Sequence, residues 1–106
     1  MKQVRTFEEL NGQVITWGDN RGLTKFENRF VQLAKVTEEL GELSRAMLKG
    51  KSHHFDQADA VGDLIVTIIL LARQLDLNVV DCLEDVYGVI ENRKGETVDG
   101  TFRKFS

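Results

Sequence analysis

Proline is missing from the 106-residue chain. That excludes collagen-like and proline-rich linker architectures and leaves helices free to run without a forced break. Cysteine is almost missing: Cys82 stands alone, so no internal disulfide is available and a reducing compartment, the cytoplasm, is the expected setting. Its expected environment is a small, buried, apolar one. No charged-then-apolar leader is read at the start of the sequence. Long apolar runs are missing too. The longest, Leu64 to Ala72, is nine residues interrupted only by Thr67, against the roughly 20 that a spanning helix needs, so it reads as core rather than membrane. An excess of basic residues is also absent. Fourteen Lys and Arg against seventeen Asp and Glu leave a net charge of −3, which argues against a general nucleic-acid or anionic-membrane binder. The balance is uneven, since Arg93 to Ser106 holds four basic and two acidic residues. A local anion site near the C-terminus therefore stays open.

What remains is an ordinary globular composition, 42% hydrophobic and 29% charged, rich enough in apolar residues for a packed core. With no repeat, low-complexity segment or linker, residues 1–106 read as one domain. Thr6-Phe-Glu-Glu9 has the form of a capping box, and Phe7, Leu10, Val14 and Trp17 follow at steps of three and four, predicting a helix over 7–18. Thr24-Lys-Phe-Glu27 repeats that form. Phe26, Phe30, Leu33, Leu40, Leu43 and Met47 then mark a stripe ending at Gly50, predicting a helix over 25–49. A polar link with His53 and His54 leads to a third helix, 56–75, whose second half is apolar all round and reads as the central rod. Asn78 is a good N-cap for a fourth helix, expected to stop near Lys94-Gly95. Thr97 to Phe102 places Asp-Gly between strand-favouring residues, a hairpin signal. The expected fold is all-α, a four-helix bundle with a short C-terminal β-turn tail. So small a bundle with so apolar a third helix is expected to self-associate as a homodimer or homotetramer.

Carboxylates carry the chemistry. Glu38, Glu39 and Glu42 lie opposite the Phe30, Leu33 and Leu40 stripe, where a solvated acidic face is the ordinary explanation. Asp56, Asp59 and Asp63 recur at three and four residues and align on one side of the third helix. Asp56 and Asp59 suit a helix N-terminus. Asp63 adjoins the apolar run, at the expected edge of the core, where a carboxylate needs a cation or donors. If the two helices pack antiparallel, the acids form one cluster. Two charges about 4 Å apart cost on the order of 4 kcal/mol at an effective dielectric of about 20, so such a cluster takes up protons or binds a divalent ion. Oxygen-only ligands select Mg²⁺, with Mn²⁺ a possible substitute.

Lys35-Val-Thr-Glu-Glu-Leu-Gly-Glu-Leu43 followed by Asp59-Ala-Val-Gly-Asp-Leu-Ile-Val66 resembles the MazG-like, all-α nucleotide pyrophosphohydrolases, whose signature is EExxE and then ExxD. Glu38, Glu39 and Glu42 match the first motif, and Asp63 matches the last position of the second. Ala60 stands where the family's second-motif Glu is expected, and Asp59, one residue earlier, is the natural substitute. Trp17-Gly with Arg21-Gly22, the Asn92-Arg-Lys-Gly95 turn and the Asp99-Gly-Thr-Phe102 tail extend the likeness over most of the chain. It looks closest to the short single-domain members often found in phages and bacteria.

The resemblance implies Mg²⁺-dependent hydrolysis of a nucleoside or deoxynucleoside triphosphate to the monophosphate and pyrophosphate, in house-cleaning or nucleotide-pool control. It implies metal ligation by Glu39, Glu42 and Asp63, with Asp59 a candidate fourth ligand. Glu38 is the candidate for orienting or deprotonating the attacking water. Phosphate contacts are expected from Lys35, Arg93 and Lys94, although an i, i+4 surface pair explains Lys35 and the helix C-terminus explains the other two equally well. Trp17 is a candidate to stack on a base and Asn92 to read a base edge, with core packing and a polar helix end as the ordinary explanations; Tyr87 reads as core. Substrates such as phosphoribosyl-ATP or dUTP stay open within the same fold. The alternative, raised by Ala60, is a catalytically weak or inactive helical module that binds a nucleotide or a protein.

Overall fold

The computed structural model describes residues 4–105. Four helices are followed by a hairpin: α1 (Phe7–Asn20), α2 (Arg29–Leu48), α3 (His54–Gln74), α4 (Val79–Ile90), β1 (Gly95–Val98) and β2 (Thr101–Lys104). Thr6 caps α1 as the sequence predicts: its hydroxyl accepts from the Glu9 backbone N–H while the Glu9 carboxylate accepts from the Thr6 N–H. The second capping-box string behaves differently. Thr24 donates its hydroxyl to Asp19 Oδ1 at 2.5 Å and so closes the α1–α2 corner. Phe26–Asn28 forms a single 3-10 turn with no side-chain cap. The predicted 25–49 helix is therefore a short turn followed by α2. The turn begins after Lys25, one residue past Thr24, so the hydroxyl meets no free helical N–H and donates outside the segment instead.

Gly50, at φ +83° and ψ −168°, ends α2 in a conformation open essentially to glycine alone. The chain then reverses through a 3-10 turn, Lys51–His53. α2 and α3 pack antiparallel: Gln32 Nε2 donates to the Thr67 carbonyl at 3.0 Å, and Gln57 Nε2 donates to the Ala46 carbonyl at 3.2 Å. α1 lies against the C-terminal half of α3. There Gln74 Nε2 donates to the Leu23 carbonyl at 3.1 Å and Arg73 pairs with Asp19 at 3.1 Å. Gly18 admits Leu70 so closely that a Cβ would overlap the Leu70 side chain.

α3 supplies most of the buried residues, Ala60, Thr67, Ile69, Leu70 and Gln74, and all but Ala60 lie in the second half, the stretch expected to be the central rod. The burial is one-sided, however: Val61, Ile65, Ile68 and Leu75 remain substantially exposed. Asn78 caps α4 by accepting from Val80 N at 2.9 Å and Asp81 N at 3.4 Å, and also takes the Asn11 amide at 3.4 Å. No α4 residue is buried. Tyr87 and Cys82, read as core residues, are both exposed, because little of the chain packs over this helix. α4 also stops at Ile90, a turn short of Lys94. Asp99 and Gly100, both at positive φ (53° and 78°), make the two-residue turn of the hairpin, the backbone that Asp-Gly favours.

Candidate functional site

Antiparallel packing brings both acidic motifs to one flank of the α2/α3 pair. A cleft of about 500 Å³ is lined there by Glu38, Glu39 and Glu42 from α2 and by Asp56, Asp59, Ala60 and Asp63 from α3. Helix geometry accounts for the convergence. Steps of three and four keep Glu39 and Glu42 on one side of α2 and Asp59 and Asp63 on one side of α3, and the 32-to-67 and 46-to-57 hydrogen bonds set these sides against each other.

The acids differ in their surroundings. Glu42 is held by Arg45 and Asp56 by His53, the latter at 3.0 Å. Glu38 pairs with Lys35 at 3.6 Å across exposed side chains, a contact of little stabilising value. Glu39, Asp59 and Asp63 have no ion-pair partner among the described residues. Glu39 is half-buried, whereas Asp63 is exposed. Asp63 therefore does not sit at the closed edge of the core, and water meets its charge without a compulsory cation. Among the described residues, no three of His, Cys, Asp and Glu converge into a ready cage. The acids line the cleft instead, an all-oxygen donor set of the kind that suits a hard divalent ion. Ala60, only 6% exposed, places a methyl group rather than a further carboxylate on the wall of the cleft.

A second cavity, about 560 Å³, opens beside the first and shares Glu39 and Asp63 with it. Its other walls are Trp17, Leu23, Val31, Gln32, Lys35, Val66, Thr67 and Leu70. Two sequence candidates thus meet here, the Trp17 ring and Lys35. Arg21 covers one face of Trp17, its guanidinium 4.5 Å from the ring centroid, a cation–π contact.

Asn92, Arg93 and Lys94 line neither space; Arg93 borders a shallow hollow on α4 with Val86 and Ile90. The sequence places them at the end of a helix that carries on to the tail, but α4 ends early and the hairpin's chief contacts are between its own strands. Two cations the sequence reading passed over do line the acidic cleft, Arg45 and Lys49. Their signal was present: they follow Glu42 by three and seven residues, one and two turns along the same helical side. The apolar wall of Leu23, Val31, Val66 and Leu70 had no such signal, because three separate segments contribute to it.

The chain matches no protein-family model, no curated protein and no solved structure.

Proposed function

We propose that this protein is a Mg²⁺-dependent nucleoside triphosphate pyrophosphohydrolase, releasing the monophosphate and pyrophosphate. The observation that carries the reading is the adjoining pair of spaces: a carboxylate-lined cleft and an apolar cavity with an aromatic wall, joined through Glu39 and Asp63. A triphosphate with its counter-ion has the chemistry of the first, and a nucleobase that of the second.

Glu39, Glu42, Asp59 and Asp63 would hold Mg²⁺, or Mn²⁺ in its place. When bound, the ion neutralises phosphate oxygens and lowers the pKa of water. Glu38, on the rim, takes the proton of the water that attacks the α-phosphorus. The bond from that phosphorus to the α–β bridging oxygen breaks, and pyrophosphate leaves with the electron pair. Arg45 and Lys49 offer positive charge to the departing phosphates, with Glu42 yielding Arg45 as it turns to the cation. Lys35, on the wall of the second space, serves the sugar-proximal phosphate, and Trp17 stacks on the base. Asn92, Arg93 and Lys94 contact substrate only where they reach another chain's cleft. The protein is read as a cytoplasmic homodimer or homotetramer without a nucleic-acid partner, and among the described residues no helix is long and apolar enough to cross a membrane.

The test is to incubate the purified protein with each of the eight common NTPs and dNTPs, with and without Mg²⁺, and to separate the products by chromatography. Metal-dependent pyrophosphate with equimolar monophosphate is the expected result. A second reading, a binding module with a weak or silent active site, is favoured by Ala60 and by the engagement of Glu42 with Arg45. Ala60→Glu separates the two. A large gain in pyrophosphate release means the native site lacks a ligand, and no gain over an active wild type means Asp59 already serves.

A further inference from the structure

The apolar cavity beside the acidic cleft has few hydrogen-bonding groups on its wall, and their chemistry is fixed. Lys35, Glu39 and Asp63 carry its charge. Among its uncharged residues, only Gln32, Thr67 and the Trp17 indole offer side-chain hydrogen bonds. Trp17, stacked on a base, holds its N–H in the plane of its own ring, parallel to the base and away from the base's edge. Gln32 from α2 and Thr67 from α3 are left to meet that edge.

Both residues are tied to backbone carbonyls, and a carbonyl only accepts. Gln32 Nε2 donates to the Thr67 carbonyl at 3.0 Å, so the amide cannot turn end for end without setting oxygen against oxygen. Among the described residues, its Oε1 and its second Nε2 proton have no other partner. The Thr67 hydroxyl donates to the Leu64 carbonyl at 2.7 Å. Its one proton is thereby spent, and Oγ1 has only lone pairs to offer. Thr67 is 7% exposed and Gln32 half-buried, so water competes poorly here and an unmatched acceptor is costly. The wall therefore holds two acceptors and one donor.

We propose, resting on the nucleotide reading above, that Gln32 and Thr67 select the base. They favour nucleotides whose base carries an exocyclic amino group, adenine or cytosine, over those with a carbonyl in its place. An amino group beside a ring nitrogen brings two protons and one acceptor, which matches the wall group for group. In hypoxanthine and uracil, the deaminated counterparts, a carbonyl beside a ring N–H brings a single proton. One acceptor then stays unpaired against the lone pairs of the carbonyl, and a site built to receive protons rejects a ligand that lacks them. Guanine and thymine carry a carbonyl at the same ring position and fall with the second group.

Calorimetric titration of the full chain with the α,β-methylene analogues of ATP, ITP, dCTP and dUTP, in Mg²⁺, tests this without requiring turnover. ATP and ITP differ only at that edge, as do dCTP and dUTP. The amino analogue of each pair is expected to bind roughly tenfold or more tightly, about 1.4 kcal/mol. Thr67→Val, which keeps the shape and removes the acceptor, is expected to cut that ratio by about threefold or more, and so is Gln32→Met. Thr37→Val is the control: its hydroxyl donates back along α2 to the Leu33 carbonyl at 3.2 Å, outside the cavity, and the ratio is expected to hold. Should either cavity variant misfold, the wild-type ratios decide alone. Equal binding within each pair, or tighter binding of the keto analogue, overturns the inference and leaves the pyrophosphohydrolase reading in place. An amino preference untouched in both folded variants also overturns it, since the selection then lies elsewhere. Discrimination in binding with no pyrophosphate released from ATP or dCTP supports the selection and overturns the reaction. No binding of any analogue overturns both.

Discussion

Asn78→Ala should loosen α4 from the bundle. The Asn78 Oδ1 accepts from Val80 N at 2.9 Å, from Asp81 N at 3.4 Å and from the Asn11 amide at 3.4 Å. Loss of an N-cap of this kind costs about 1 kcal/mol. Asn11 is 2% exposed, so its amide is left unpaired away from water, a further penalty of about 1–3 kcal/mol. Because the Asn11 bond is long, the low end applies, and the total comes to about 2 kcal/mol. For a domain of this size that lowers Tm by about 8–16 °C. The assay is urea and thermal unfolding followed by circular dichroism at one fixed chain concentration. Asn78→Asp retains both acceptor roles and should cost under about 0.5 kcal/mol. With Asn11→Ala, the double-mutant cycle should return a coupling of about 0.5–1 kcal/mol. If Asn78→Ala unfolds within 0.5 kcal/mol, roughly, of the wild type, the cap and the Asn11 contact do not anchor α4.

Three other outcomes follow from the same contacts. A Cβ at Gly95 would overlap the Arg103 carbonyl and the Phe102 ring, so Gly95→Ala should abolish the cross-strand NOEs between β1 and β2 while the helical signals persist; an intact hairpin would contradict this packing. Asp19 titrates below its ordinary 3.8 because the Thr24 hydroxyl, and then Arg73, favour its charged form. Its contribution is therefore complete above about pH 5 and lost as pH falls through the lowered folded value. The Tm gap between wild type and Asp19→Asn should narrow on acidification below 3.8, and a gap that widens there reverses the sign. Trp17→Ala should raise KM about fivefold or more with kcat changed less than about twofold, since stacking on a base is worth roughly 1–3 kcal/mol. An unchanged KM would remove Trp17 from the substrate site.

The helices and the Asp-Gly turn were legible in the sequence because their signals are local. Thr6 with Glu9, Asn78, Gly50 and Asp99-Gly100 each act within a few residues. Thr24 shows where local reading ends: the turn starts one residue later, after Lys25, and the hydroxyl donates to Asp19, brought close by the α1–α2 corner. The acidic cleft was also legible, since helical spacing aligns Glu39 with Glu42 and Asp59 with Asp63 and a short link makes α2 and α3 antiparallel. The exposure of Asp63 was not legible. A carboxylate beside an apolar run looks buried in a string, yet that run turns its apolar sides toward α1 and toward the uncovered flank. Cys82 and Tyr87 were misplaced for a related reason: periodicity gives α4 an apolar face but does not say whether this chain covers it.

Pyrophosphate release with and without Mg²⁺, compared between the wild type, Glu39→Gln and Asp63→Asn, tests whether the α2/α3 carboxylates hold the metal and substrate. Both residues belong to the cleft and to the apolar cavity, and neither is buried, so the amides should leave the helical content and Tm nearly unchanged. Mg²⁺-dependent turnover is expected in the wild type, with a loss in each variant exceeding the roughly 10–100-fold that follows removal of even an outer partner of a metal ligand. Full Mg²⁺-dependent turnover in both folded variants would place the chemistry elsewhere in the molecule.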